Sequence, residues 1–126
     1  MSSEELARRV AAIADAKKAE EIVVLDMRGL VGYTDFLVIC TARNERQAKA
    51  VYDEVYLQLK REDLLPDHVE GERQPSWVLM DYLDCVLHVF VPETRDYYRL
   101  ETLWGEAPRL ELDLGGAAPR AASGAG

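Results

Sequence analysis

The sequence predicts an α/β domain, a mixed β-sheet flanked by helices. Three observations carry this. Three segments, opening at Ser2, Asn44 and Glu93, space their apolar residues as amphipathic helices do. Four apolar runs lie between them and give the order α, β, β, α, β, β, α. The connections include both hairpins and a helical crossover, and a sheet that uses both is mixed.

Ser2 can cap the first helix, and Glu5 three residues later completes a capping-box pattern. Leu6, Val10, Ile13 and Ala14 form a narrow stripe, which places this helix at the edge of the domain. Ile22-Val23-Val24-Leu25 reads as a buried strand, Gly29 and Gly32 mark a turn, and Asp35 to Thr41 reads as the second strand. Asn44 can cap the second helix, with Gln47 at the reciprocal capping-box position and Ala48, Val51, Tyr52, Val55 and Leu59 following at helical spacing. Lys60 and Arg61 lie at its end, where the helix dipole favours cations.

Leu64 to Pro75 is a polar connection with a short strand near Val69. Ser76 to Val91 reads as two strands joined by a tight turn at Leu83-Asp84, and Pro92 ends the second because it cannot donate to a ladder. Glu93 to Trp104 reads as one helix, stopped by Gly105 and Pro108. Leu110 to Leu114 is a short extension. Gly115 to Gly126 is rich in Gly and Ala without core residues, so the domain is expected over 1–114 with a disordered tail over 115–126.

Charge narrows the partners. The 126 residues hold 15 basic and 23 acidic side chains, a formal net charge of −8. Nucleic-acid binding draws on a Lys/Arg surplus, so nucleic acid is not expected as the main contact, and a basic protein surface suits the chain better. Cys40 and Cys85 sit in apolar runs and read as buried reduced thiols. Met1 to Lys18 is polar and helix-patterned rather than a signal peptide, and no apolar run approaches the roughly 20 residues that cross a bilayer. A cytoplasmic protein without membrane contact is expected.

The hairpin has two faces. With Leu83-Asp84 as a two-residue turn, Tyr82 pairs with Cys85 and Trp77 with Phe90. Val78, Met80, Tyr82, Cys85, Leu87, Val89 and Val91 then share an apolar face, the core face. Trp77, Leu79, Asp81, Val86, His88 and Phe90 share the other. That face mixes aromatic anchors with an acid and an imidazole, as binding faces do. The alternative is a face covered by a helix of the same chain, with Asp81 and His88 paired to each other or to backbone. In the third helix Tyr97, Leu100, Glu101 and Trp104 recur at i, i+3, i+4 and i+7. Such residues supply apolar area with a polar handle.

Enzyme motifs are weak. His68-x-Glu70 opens a zinc-deaminase pattern, but the Pro-Cys-x-x-Cys partner is missing. Asp81, Asp84 and His88 offer too few co-facial ligands for a transition metal. Cys85 points away from His88, which argues against a nucleophile pair. Gly29-x-x-Gly32 lacks the Lys-Ser/Thr of a phosphate loop. No cofactor or metal is expected.

Leu25-Asp26, Tyr33 to Cys40, Arg46-Gln47, Glu70-Gly71, Trp77 to Tyr82, His88-Val89-Phe90, Tyr97-Tyr98-x-Leu100-Glu101 and Leu103-Trp104 together resemble the ribosomal silencing factor family, also called RsfS or Iojap-related. The resemblance covers roughly residues 5 to 108. It implies a nucleotidyltransferase-like fold without the catalytic acids of those enzymes, and a non-enzymatic role. Members bind the universal large-subunit protein numbered fourteen, block subunit joining and repress translation. They often form homodimers, and mitochondrial relatives act in large-subunit assembly. The resemblance assigns Trp77, Asp81, His88, Tyr97, Tyr98, Glu101 and Trp104 to the interface, with Asp81 and Glu101 facing basic residues and the tryptophans as anchors. A large-subunit assembly factor and a nucleotidyltransferase-like enzyme using Asp26, Asp35 or Asp81 are the alternatives. Two departures stand out. Leu83 replaces the glycine of the family's hairpin turn, which strains it if that position needs positive φ and otherwise widens the turn. Ala42 and Asn44 replace a glycine and a serine before the second helix.

Overall fold

The computed structural model describes residues 1–114, so the expected tail lies outside the described residues. Helix α1 spans Ser3–Ala16, strand β1 Glu20–Asp26, β2 Phe36–Thr41, α2 Glu45–Lys60, β3 His68–Glu70, β4 Trp77–Asp81, β5 Cys85–Phe90, α3 Pro92–Tyr98 and α4 Leu100–Leu103. The strands form one sheet in the order β1-β2-β5-β4-β3. Only β2 and β5 run parallel, and the other three pairings are antiparallel. The sheet is mixed, as the sequence predicts.

Helices α1 and α2 cover one face. Ser2 caps α1 through the full capping box. The helix is not peripheral, however: it packs on β1, β2, β5 and α2. Ala7, Ala11 and Ala14 are fully buried beside Leu6, Val10 and Ile13, so alanines widen the stripe that the larger residues leave narrow. In α2 the Gln47 amide donates to Asn44 Oδ1 at 2.9 Å, the expected cap. The reciprocal arm differs. Gln47 Oε1 accepts from the Arg43 amide at 2.6 Å, and its Nε2 donates to the Lys17 and Lys18 carbonyls. One buried glutamine thereby closes the end of α1 onto the start of α2.

The hairpin register is as expected: Trp77 opposes Phe90, Leu79 opposes His88 and Asp81 opposes Val86. The tight turn is real, and Leu83 adopts φ +69° in it. The Tyr82 amide donates to the Cys85 carbonyl at 2.9 Å, and the Asp84 amide donates to the Tyr82 carbonyl at 2.8 Å. The second bond makes a γ-turn centred on Leu83, a strained form when φ is positive. Gly71, before β4, is required by space as well as by its φ of +85°, because a Cβ there would lie 2.0 Å from the Trp77 carbonyl oxygen.

The C-terminal arm departs most from expectation. It is not one helix over 93–104. Arg99 adopts φ +46° and ψ +54°, separating α3 from the single turn α4. The i, i+3, i+4, i+7 stripe is therefore not a continuous helical face. Beyond α4 the chain returns along β1. The Asp26 amide donates to the Pro108 carbonyl and the Leu110 amide to the Val24 carbonyl, so the extension pairs at 108–110.

Candidate functional site: the aromatic face under the C-terminal arm

The second sheet face builds a smaller core of Leu25, Met27, Leu37, Ile39, Val86, Phe90 and Ala107, with Trp77, Leu79, Leu100 and Trp104 packed against it. The arm covers part of this face and leaves an aromatic margin. The chain's own arm thus covers one part of the face, and rings at its edge reach solvent.

Trp77 is the hub. Its ring centroid lies 4.4 Å from Tyr98, 5.1 Å from Phe90 and 5.9 Å from His88. Its Nε1–H donates to His88 Nδ1 at 3.0 Å, which makes Nδ1 an acceptor and puts the neutral ring's proton on Nε2. His88 is 7% exposed, and burial pushes its pKa down to about 4. The imidazole is thus a neutral prop beneath the tryptophan, paired with Trp77 rather than with Asp81.

The exposed margin belongs to the arm. Tyr97 is 80% exposed and Leu103 69%, an unusual display for large apolar side chains in so short a segment. Tyr97 meets Tyr98 edge-on at 4.9 Å, and Tyr98 in turn rests on Trp77 and Phe90. Trp104 is half-buried and lines a shallow notch with Leu30, Leu103, Glu106 and Ala107.

The two expected acids are partly engaged within the chain. Asp81 Oδ1 accepts from the Leu83 amide at 2.7 Å, so this carboxylate steadies the strained turn. Glu101 Oε2 accepts from both Nε and Nη2 of Arg95 at 2.8 Å, while its Oε1 is buried without a hydrogen-bond partner. Burial alone would raise the Glu101 pKa, but the hydrogen bonds and charge of Arg95 outweigh it and hold the carboxyl below its usual value. Arg95 is a residue that sequence reasoning missed. A single arginine in a polar helix reads as solvated, yet this one is 6% exposed.

The other groups considered for chemistry are set apart from one another. Cys40 and Cys85 are buried free thiols, and burial pushes Cys40 up to about 12 and Cys85 upward too. His68 pairs with Glu70 at 2.5 Å on the exposed edge strand. No group of three or more His, Cys, Asp or Glu among the described residues could hold a metal ion. No helix among them is long and apolar enough to cross a membrane.

The model of the family described as "ribosomal silencing factor during starvation" matches residues 1–125. The chain belongs to the ribosomal silencing factor family. It is 40% identical over 113 residues to the ribosomal silencing factor RsfS of Halalkalibacterium halodurans, covering 90% of this chain and 97% of that protein. The Bacillus subtilis RsfS is 37% identical, with 91% and 98% covered. The mouse protein named "mitochondrial assembly of ribosomal large subunit protein 1" is 31% identical over 70% of this chain and 40% of its own length. A crystal structure of a protein from Chromobacterium violaceum superposes with a TM-score of 0.81 at 31% identity, covering 94% and 98% of the two chains. Another, from Bacillus halodurans, gives 0.72 at 38% identity, covering 86% and 95%. The sheet and its helices are thus the frame of a ribosomal silencing factor.

Proposed function

We propose that this chain represses translation by binding the universal large-subunit protein numbered fourteen and sterically blocking subunit joining. In this reading it performs no reaction, needs no cofactor and works in the cytoplasm. The observation that carries the reading is the exposure of Tyr97, Tyr98 and Leu103 on the arm, with Tyr98 resting on the Trp77–Phe90 floor. Exposed aromatic anchors on a rigid base are what a protein interface uses. The net charge of −8 favours a basic ribosomal protein over nucleic acid as the direct contact. A free homodimer that hides the same margin belongs to this reading.

The test is co-sedimentation with purified large subunits and pull-down with isolated protein fourteen. Tyr97→Ala and Leu103→Ala together should weaken both by about thirtyfold or more, the loss of a modest hot spot of about 2 kcal/mol. Full retention of binding by the double variant would move the interface elsewhere. The mouse relative's name supports a second reading, large-subunit assembly through the same surface. Accumulation of immature large subunits on depletion, with normal silencing, would select it.

A further inference from the structure

We infer that Arg95 is the positioning residue of the docking surface, a buried clamp that holds the C-terminal arm against the sheet and so fixes where Tyr97, Tyr98 and Trp104 stand. This rests on the docking reading above for its functional meaning, though not for its mechanics.

The clamp is a directed chain of hydrogen bonds across four elements. Arg95 in α3 donates through Nη1 to Thr41 Oγ1 at 2.8 Å, at the last residue of β2. The Thr41 hydroxyl donates onward to Glu21 Oε1 in β1 at 3.3 Å. On its other side Arg95 grips Glu101 of α4 through Nε and Nη2, both at 2.8 Å to the same oxygen. The guanidinium therefore spans the break at Arg99. It ties the segment before the left-handed residue to the segment after it, and both to the sheet.

Three features show what the clamp holds. Arg99 is a non-glycine residue in the left-handed region, a conformation that persists only where the surroundings impose it. The α4 segment is a single turn with no side-chain cap and no buried residue, too short to hold its own shape. Tyr97 and Tyr98 before the break and Leu103 after it form the margin facing solvent, with Trp104 half-buried beside them. Their mutual spacing is set by the geometry at Arg99, which Arg95 bridges. Glu101 then acts through Arg95 rather than by offering its charge to a partner.

The experiment uses the full chain with Arg95→Met, Glu101→Gln and Glu101→Ala. Amide hydrogen exchange is followed at Thr102, Leu103, Trp104 and Ala107, whose amides are bonded within the arm. Amides of β2 and β5 serve as the fold control. Large-subunit binding is measured in parallel. Arg95→Met should speed arm exchange by about tenfold or more with the sheet unchanged, and weaken binding by about tenfold. Glu101→Gln keeps an oxygen for Arg95 and should bind within about threefold of the parent, whereas Glu101→Ala should behave like Arg95→Met. If Arg95→Met fails the sheet control, Glu101→Ala carries the same reading. Unchanged arm exchange in the folded variant overturns the clamp. So does a Glu101→Gln binding loss as large as that of Glu101→Ala with arm exchange unchanged, since that would place the charge itself at the interface. If the parent does not bind large subunits, the docking reading fails, and arm exchange still decides the clamp.

Discussion

Acidification should destabilise this protein through His88 before its carboxylates protonate. The chain has two histidines, and they oppose each other. His68 is exposed, and its hydrogen bond to Glu70 raises its pKa, so its contribution is present below the unfolded value and fades as pH rises. His88 is buried as the neutral acceptor of the Trp77 indole N–H, and burial lowers its pKa from 6.5 to about 4. Its contribution is therefore present above pH 6.5 and is lost as pH falls toward 4. His68→Gln removes the opposing group. At pH 5 the unfolded imidazole is almost fully protonated and the native one only about one-tenth. The difference from pH 8 is then on the order of 2 kcal/mol of lost stability. The lowered carboxylates, Glu5, Asp26 and Glu101, titrate in the unfolded chain near or below 4.5 and add little in this window. Urea unfolding of His68→Gln at pH 8, 6.5 and 5 reads the slope, and proton NMR of the His88 ring reads its titration directly. A stability that is flat from pH 8 to 5, or a native His88 titrating near 6.5, would refute the buried neutral imidazole.

Two further outcomes follow from the fold. Leu83→Gly relieves a γ-turn held at φ +69° and should stabilise the domain by about 1 kcal/mol in urea unfolding, because glycine adopts that conformation without a Cβ penalty. The thiols of Cys40 and Cys85 are buried with raised pKa values, so at pH 8 an aromatic disulfide reagent should react with both only as fast as the protein unfolds.

Much of this was legible in residues whose signal is local. The period-two alternation of Trp77 to Asp81 and of Cys85 to Phe90 fixed both faces and the register, even with leucine in a turn position that favours glycine. Asn44 announced the start of α2. Features set by distant contacts were not legible. The break at Arg99 comes with a guanidinium reaching Thr41, 54 residues away in sequence. Helical spacing over 93–104 carries no trace of that contact. The same gap hid the internal partners of the acids: Asp81 and Glu101 read as charges for a partner, and the structure shows that each also accepts within the chain, from the Leu83 amide and from Arg95. Helix α1 was underrated because its alanines add burial without large side chains.

The central claim is that the Tyr97–Tyr98–Leu103 margin occupies the large subunit where the small subunit docks. Light scattering of separated subunits, mixed with the chain in excess, measures this most directly. The account predicts that joining slows in proportion to the large subunits occupied, and that Tyr97→Ala with Leu103→Ala restores the rate. Joining at the normal rate while the chain co-sediments with the large subunit would contradict it.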